Sequence, residues 1–282
     1  MTPRDRALPG GLLEAIAASV RTTVASRRAH LPIETLARAA EQRRPGGGRF
    51  RDAIARAGRV NIIAECKRRS PARGVLARDY APAEIARVYE RAGAAAISVL
   101  TEPTFFDGAL AHLEAVREAT SLPLLRKDFI LDEYQLYEAR AAGADAVLLI
   151  VAMLDDGSLR HLARSAGDLG LAALVEVHSS RELESARDAG ADIIGVNSRD
   201  LRTLAVDVRI CDALIQEAPP GCVMVAESGI RSREDVDRLA ASGYRAFLIG
   251  ERLMTAPDPA GALAGLVGTT GGGDLAAQGV EA

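Results

Sequence analysis

Two lysines are the residues of this chain that most clearly point to chemistry. Of its 35 lysine and arginine side chains, only Lys67 and Lys127 are lysines. Arginine stays protonated at any ordinary pH, whereas the compact ammonium group of lysine changes its pKa when it is buried or paired. Each lysine also lies at the end of a short apolar run typical of a buried strand. Lysine retained at only these two places indicates proton transfer there, with codon bias as the competing explanation.

Carboxylates accompany the two lysines. Glu65 precedes Lys67 by two residues, so both side chains share one face of an extended strand. Glu176 lies near the end of another apolar run. Buried charges of opposite sign must pair or shift their pKa values. A partly desolvated lysine would serve as a general acid, and a glutamate outside that pairing would serve as a base. We therefore predict acid–base catalysis by four residues: Glu65, Lys67, Lys127 and Glu176.

Composition excludes several classes of function. The 282 residues are 48% hydrophobic and carry a net charge of −3, which is typical of a globular protein and not of a nucleic-acid binder. The start of the chain lacks the uninterrupted apolar core of a signal peptide, and no run approaches a membrane span. Three cysteines, at Cys66, Cys211 and Cys222, lack the spacing of zinc ligands. We expect a cytoplasmic protein without a disulfide framework or a metal site.

Short apolar runs alternate with helical patterns along most of the chain. The eight apolar runs cover residues 60–66, 95–100, 123–126, 146–151, 172–177, 192–196, 222–226 and 246–249. The helical patterns between and after them lie near residues 82–92, 109–119, 133–142, 157–169, 181–189, 208–218, 233–241 and 259–266. Eight such units predict an α/β fold whose parallel sheet closes into a (β/α)₈ TIM barrel.

An internal repeat of glycine supports this count of strands. Gly93, Gly143, Gly190 and Gly243 each stand between a helical pattern and an even-numbered apolar run. Glycine in the left-handed conformation commonly ends a helix. An open, doubly wound sheet is the alternative, but it usually has fewer strands and a glycine-rich phosphate loop after the first one. No such loop follows the first apolar run, which favours the barrel.

The two ends of the chain differ in pattern from the barrel. Two amphipathic helical patterns precede the helix-breaking segment RRPGGG at 43–48, and the last residues are rich in glycine. We predict an N-terminal helical extension over residues 1–45 that packs on the barrel, the barrel itself over 46–268, and a disordered tail over 269–282. The exposed helix faces show no long apolar stripe, so we expect a monomer or a weak oligomer.

Polar residues collect where the apolar runs end. Asn197 follows the sixth run and Glu227 follows the seventh, whereas the starts of the runs are apolar or small. Enzymes with this fold carry their active sites at the carboxyl ends of the strands, so these residues are expected to face a substrate. Three further polar residues at strand ends, Arg126, Asp128 and His178, are expected to be solvated.

The loops after the last two strands predict a phosphate site. In TIM barrels these loops commonly bind phosphate through backbone N–H groups, and glycine lets the backbone approach the ligand closely. Here the loops begin with Ser228 and Gly229 and with Gly250. Arg199, after the sixth strand, would either contact an anion or pair with a neighbouring carboxylate.

Several segments together resemble the indole-3-glycerol phosphate synthase family. They are IIAECKRRSP at 62–71, ISVLTEPTFFDG at 97–108, LLRKDFI at 124–130, LVEVH at 174–178, IGVNSRDL at 194–201, VAESGI at 225–230 and FLIGERLM at 247–254. They follow the family's order, and the helical extension before the first strand also fits. The resemblance implies closure of the indole ring of 1-(2-carboxyphenylamino)-1-deoxyribulose 5-phosphate, with loss of carbon dioxide and water and without a metal or organic cofactor.

The resemblance also implies roles for the acid–base residues. Lys127 would be the general acid that protonates the ribulose carbonyl, and Glu176 would be the base in the later steps. Lys67, hydrogen-bonded to Glu65, would assist dehydration and hold an anionic group of the substrate. The remaining residues would bind substrate or phosphate: Ser70, Asn197, Arg199, Glu227, Ser228, Gly229 and Gly250.

Two residues depart from the pattern of this family. Ala72 stands where a hydroxyl or basic residue is expected, and Arg252 adds a cation beside the predicted phosphate loop.

Two alternative functions remain open for this chain. A Schiff-base aldolase acting on sugar phosphates would use Lys127 as a nucleophile. A catalytically silent barrel would need none of the charged residues.

Overall fold

Eight parallel strands form a closed barrel in the computed structural model, which describes residues 11–201 and 203–268. The strands are β1 Asn61–Cys66, β2 Ala96–Leu100, β3 Leu124–Lys127, β4 Ala146–Ile150, β5 Ala172–Val177, β6 Ile193–Asn197, β7 Val223–Glu227 and β8 Ala246–Ile249. Each strand pairs with the next in the chain, and β8 pairs with β1 from Asn61↔Ala246 to Ala64↔Ile249. The predicted TIM barrel is therefore confirmed.

Helices precede the barrel and surround it. Three lie before β1: α1 Leu12–His30, α2 Ile33–Glu41 and α3 Gly47–Ala55. The others are α4 Pro82–Arg91, α5 Pro103–Phe106, α6 Leu110–Ala119, α7 Glu133–Ala141, α8 Asp156–Asp168, α9 Ser180–Asp188, α10 Arg209–Leu214, α11 Arg233–Ser242, α12 Glu251–Met254 and α13 Pro259–Val267. Short 3₁₀ turns follow β4 at Val151–Met153 and α10 at Ile215–Glu217. A two-residue hairpin, Arg69–Ser70 paired with Gly74–Val75, follows β1.

The ends of the helices follow from local residue types. Ser179 accepts a hydrogen bond from the backbone N–H of Glu182 at the start of α9, and Ser232 forms a reciprocal capping box at the start of α11. The four repeated glycines have φ values of 92°, 89°, 78° and 122°, all in the region that favours glycine. The prediction that these glycines end helices is therefore confirmed.

Side-chain alternation along the strands separates two apolar layers. Ile63 points into the barrel interior, where it packs in one cluster with Leu148. Ile62 and Ala64 belong to the other cluster, between the sheet and the outer helices. The interior cluster also contains Phe50 of α3, which is fully buried. Because Glu65 has the same parity as Ile63, the strand directs its carboxylate into the barrel.

Helix α1 lies close to the mouth of the barrel. The Ser19 hydroxyl is 2.9 Å from the hydroxyl of Thr104 in α5, the short helix after β2. Arg27 donates through Nη2 to Glu138 of α7 over 3.0 Å. An N-terminal helical extension is thus present. Residues 1–10 and the tail 269–282 lie outside the described residues, so the proposed boundaries at 45 and 268 stay predictions.

Arg126 and Asp128 are buried, so the expectation that both are solvated is wrong. Arg126 has no exposed surface; its Nη2 donates to Asp128 over 2.8 Å and its Nη1 to Glu138 over 3.2 Å. Arg126 Nε also donates to the Thr101 hydroxyl, 3.1 Å away. Arg126 lies on the outward face of β3, where a helix covers it, and a buried guanidinium is tolerated only when carboxylates and acceptors surround it.

His178 is half-buried, which corrects the same expectation for this residue. Its Nδ1 lies 2.7 Å from the backbone carbonyl oxygen of Asn197, to which it donates. The backbone N–H of His178 donates to Glu182 over 2.7 Å. The ring is therefore held against the neighbouring strand end instead of pointing into water.

Among the described residues, no helix is both long and apolar enough to cross a bilayer.

Candidate active site

One cavity at the carboxyl end of the strands gathers most of the predicted site residues. The space in it that protein atoms leave free, including the solvent-filled mouth, is about 820 Å³. Eight predicted residues line it: Glu65, Lys67, Ser70, Lys127, Glu176, Asn197, Arg199 and Ser228. They come from β1, β3, β5, β6 and the loops after β1, β6 and β7, so barrel closure brings together groups that are far apart in the chain. In the part of the chain that the structure describes, no group of His, Cys, Asp or Glu could hold a metal ion.

Lys127 of β3 lies between two carboxylates, that of Glu65 on β1 and that of Glu227 on β7, across the barrel. Its Nζ is 3.0 Å from Glu65 Oε2 and 3.2 Å from Glu227 Oε2. Burial alone would lower the pKa of Lys127, but Glu65, Glu227 and Glu176 outweigh it and raise the pKa. The residue is therefore a charged ammonium group. Sequence reasoning anticipated a lysine made acidic by desolvation, and the direction of that expected shift is wrong.

Glu65 connects the two lysines. Its Oε1 accepts a hydrogen bond from Lys67, while its Oε2 faces Lys127. Burial opposes ionisation of Glu65, but the charges of Lys127 and Lys67 prevail and lower its pKa from 4.5 to about 2. The carboxylate is thus ionised in the folded protein near neutral pH, and it fixes the position of both ammonium groups.

The lowered pKa of Glu65 predicts an acid-sensitive contribution to stability. A carboxyl whose pKa is lower in the folded state stabilises above its ordinary pKa and loses that stabilisation as the pH falls towards the folded value. We expect the difference in unfolding free energy between the wild type and Glu65→Gln to shrink by about 1 kcal/mol between about pH 6 and about pH 3.5. Urea denaturation at both pH values measures it. An unchanged difference would contradict the assignment.

The environment of Glu176 raises its pKa, whereas that of Glu65 lowers it. Glu176 is only 4% exposed, and burial followed by the nearby Glu227 carboxylate raises its pKa to about 8, against the opposing effect of Lys127. The side chain of Asn197 forms a hydrogen bond with Glu176. Two glutamates of the same cavity, Glu65 and Glu176, therefore have pKa values displaced in opposite directions. Such a pair is a common arrangement for separate acid–base roles.

The entrance of the cavity carries a bridge of charged residues. Arg199 donates through Nη1 to the backbone oxygen of Leu204 over 3.0 Å, and its Nη2 is 3.6 Å from Glu251 Oε2. The other oxygen of Glu251 accepts from Arg73 Nε over 2.8 Å. Arg73 also donates its backbone N–H to Ser70 Oγ. Of the two predicted roles of Arg199, pairing with a carboxylate is thus realised here, with Glu251.

Three predicted residues do not line this cavity. Glu227 is buried beneath it and acts on it through Lys127 and Glu176. Gly229 lines a separate, more open cavity together with Arg231 and Arg252. Gly250 lies directly before α12, with its Cα close to the Glu65 carboxylate. Ser228 lines the main cavity and has a left-handed φ of 63°, which turns the chain sharply after β7.

Sequence reasoning missed the apolar wall of the cavity. This wall consists of Leu12, Leu13, Ile16, Leu100, Phe106, Phe129, Leu148, Ile150, Leu201 and Leu204. Its residues come from α1, the strands β2 and β4, and the connections after β2, β3 and β6, so no local motif marks them. The inward parity of Leu148 and Ile150 on β4 was the one available signal, because inward residues at a strand end reach the mouth. Ala72 also lines the cavity, so the expected hydroxyl or basic contact is absent at that position.

Comparison of the sequence with known proteins places this chain in a family. The sequence profile of indole-3-glycerol phosphate synthase matches residues 13–266. The chain belongs to the indole-3-glycerol phosphate synthase family. One family member, from Albidiferax ferrireducens, is 46% identical over 261 residues, which cover 92% of this chain and 98% of that protein. Another, from Parafrankia sp., is 49% identical over 257 residues, covering 90% and 94%.

Solved structures that resemble this member of the synthase family extend the comparison of the fold. A 3-hexulose-6-phosphate synthase superimposes with a TM-score of 0.60 at 16% identity, covering 74% of this chain and 99% of that one. A thiamine phosphate pyrophosphorylase from Pyrococcus furiosus superimposes with a TM-score of 0.57 at 18% identity, covering 73% and 93%. At such low identity the likeness concerns the barrel fold alone.

Proposed function

We propose that this cavity closes the indole ring of 1-(2-carboxyphenylamino)-1-deoxyribulose 5-phosphate, with loss of carbon dioxide and water. The observation that carries the proposal is the position of the Lys127 ammonium, held between Glu65 and Glu227 in the same cavity as Glu176. Family membership supplies the reaction, and the cavity supplies an acid, a base and an apolar wall. The enzyme is a carboxy-lyase of tryptophan biosynthesis, and its place of action would be the cytoplasm.

Lys127 is the proposed general acid of the first step. The aromatic carbon that bears the carboxylate attacks the ribulose carbonyl carbon, and the carbonyl oxygen takes a proton from Nζ as the new C–C bond forms. The two carboxylates hold Nζ in place and keep it protonated in the free enzyme. Positioning of this kind lowers the entropic part of the barrier, because the donor is in place before the reaction begins. The carboxylate of the aromatic ring then leaves as carbon dioxide.

Glu176 is the proposed base of the later steps. After decarboxylation, a proton and a hydroxyl group must leave so that the five-membered ring becomes aromatic. A base is most effective when its pKa lies near the working pH, because a useful fraction is then ionised and still has a high affinity for a proton; the pKa of about 8 for Glu176 meets this condition at neutral to mildly alkaline pH. Lys67 lies on the other side of Glu65 and would assist departure of the hydroxyl group as water. The resemblance requires no metal or organic cofactor, so a chelator is expected to leave turnover unchanged.

The remaining residues would bind the two ends of the substrate. The aromatic ring fits the apolar wall formed by residues such as Phe129, Leu148 and Ile150. Arg199 and Ser70 would contact the anionic and polar groups of the substrate, and Asn197 and Ser228 would orient it. Backbone N–H groups at Gly229 and Gly250 would bind the phosphate, as loops after the last two strands do in other TIM barrels.

The protonation of Lys127 disfavours the Schiff-base aldolase. A lysine nucleophile must lose its proton before it attacks a carbonyl, whereas the carboxylates of Glu65 and Glu227 keep Lys127 protonated. The decisive assay incubates the protein with the carboxyphenylamino sugar phosphate and follows indole fluorescence. The chain contains no tryptophan, so the product signal has little protein background. Absence of an indole product, or a borohydride-trapped adduct on Lys127, would overturn the proposal.

A further inference from the structure

Two glycines border the carboxylates that hold Lys127. Glu227 Oε1 lies 2.2 Å from the place where a Cβ on Gly195 would stand. Glu65 Oε1 lies 2.1 Å from the corresponding place on Gly250. In each glutamate the other oxygen, Oε2, faces Lys127 Nζ. Both carboxylates therefore fill space that any side chain at the neighbouring position would occupy.

Backbone conformation does not explain the glycine at position 195. Gly195 lies within strand β6 and has no positive φ, so alanine could adopt its conformation without strain. Gly250 also lacks a positive φ, but its φ of −123° and ψ of −68° lie outside the main allowed regions. What alanine could not do is leave room for the carboxylate, since separations near 2 Å are far below van der Waals contact. At Gly195, the reason for glycine is therefore the space beside the strand, which the Glu227 carboxylate fills.

Gly195 has a particular place among the acid–base residues. Its ladder partner on β5 is Glu176, and two residues further along β6 Asn197 pairs with Glu227 of β7. The Glu227 side chain thus reaches Glu176 by lying over Gly195. Glu227 Oε1 is buried and has no hydrogen-bond partner among the described residues. The Glu227 side chain is instead held by the ion pair between its Oε2 and Lys127, and it lies close enough to Glu176 to raise the pKa of that residue.

We propose that Gly195 is a positioning residue whose missing side chain lets the Glu227 carboxylate lie between Lys127 and Glu176. Gly250 does the same for Glu65 on the other side of Lys127. The inference rests on the proposed function, because it concerns the acid and the base of that reaction. The inference adds that the absence of a side chain at these two positions determines where the carboxylates of Glu227 and Glu65 lie. Gly195 is the better test, since Gly250 is also proposed to bind phosphate.

The test is the variant Gly195→Ala, assayed with the carboxyphenylamino sugar phosphate across the pH range. The methyl group must displace the Glu227 carboxylate, which weakens its pairing with Lys127 and separates it from Glu176. We expect kcat to fall by at least about tenfold, with a smaller change in KM. Because Glu227 is one cause of the raised pKa of Glu176, the rise of kcat with pH should move to lower pH.

Two glycine variants serve as matched controls. A Cβ on Gly47 would stand 2.6 Å from the backbone nitrogen of Ala172, so Gly47→Ala introduces crowding against less yielding backbone atoms at the opposite end of the barrel. A Cβ on Gly167 would meet nothing within 4 Å, so Gly167→Ala tests the substitution in open space. Both should keep the wild-type pH profile. A rescue variant, Gly195→Ala with Glu227→Asp, withdraws the carboxylate by one methylene and should recover part of the lost kcat.

The outcomes separate this inference from the proposed function. Indole formation by the wild type tests the function, whereas the ratio of variant to wild type tests the role of Gly195. A displaced pH profile together with partial rescue supports the role. Wild-type kcat in Gly195→Ala overturns it. So does a fall in kcat with an unmoved profile and no rescue, as for Gly47→Ala, because general loss of packing would then account for the effect. Circular dichroism at the assay temperature confirms that each variant is folded.

Discussion

Replacement of Lys127 by methionine is expected to lower kcat by at least about 10²-fold, within the usual contribution of a general acid. Methionine has a similar length but donates no proton, so the carbonyl oxygen would have to take its proton from water. The loss of the ammonium also leaves Glu65 and Glu227 without their shared partner. Steady-state assay of indole formation measures the effect, and circular dichroism shows that the barrel persists.

Lys127→Arg is the matched control for this prediction. Arginine keeps the positive charge and can pair with both carboxylates, but it does not release a proton at ordinary pH. We expect this variant to be more stable than Lys127→Met and still lose most of its turnover. Near wild-type turnover in Lys127→Met would rule out Lys127 as the acid. Near wild-type turnover in Lys127→Arg alone would mean that the site requires charge and not proton transfer.

Glu176→Gln is expected to lower kcat by at least about 10²-fold and to stabilise the protein at alkaline pH. The folded pKa of about 8 lies above the ordinary value of 4.5, so between those values the folded protein binds more protons than the unfolded one. Stability of the wild type therefore falls as the pH rises through this window. Glutamine cannot ionise, so the variant escapes that loss and should exceed the wild type by about 1 kcal/mol or more at about pH 9.

Urea denaturation at about pH 5 and about pH 9, together with the indole assay, checks both parts of this prediction. Glu184→Gln, on the exposed face of α9, is a suitable control because it changes the same chemical group in contact with solvent. A stability difference that is the same at both pH values would mean that Glu176 has an ordinary pKa. Retained turnover would show that another group is the base.

The barrel and the convergence of its charges could be predicted because their signals are local. Each strand is a short apolar run, several helices begin at a capping side chain such as Ser179 or Ser232, and parity along β1 directs Glu65 inward. A closed sheet then leaves only one place where inward residues at strand ends can meet. Neither Lys67 nor Lys127 needs a long-range contact to be recognised as unusual, since their rarity is visible in the composition.

The environment of each charge could not be predicted, because it depends on partners far away in the chain. Arg126 reads as a polar residue at a strand end, but Glu138, on a later helix, makes its burial possible. The pKa of Lys127 is raised by carboxylates from three other strands, and no spacing in the sequence shows that they outweigh desolvation. The apolar wall of the cavity has the same origin. Its residues come from many separate segments, each ordinary on its own.

The ion pair between α1 and α7 bears on any attempt to shorten this protein. Glu138 is held by two arginines, Arg126 from the barrel and Arg27 from α1. Deleting α1 to obtain a minimal scaffold would therefore do more than remove part of the cavity wall. It would leave a carboxylate with half of its neutralising charge, next to the strand that carries Lys127. A redesigned, truncated version would need a new cation facing α7, or an uncharged residue in place of Glu138.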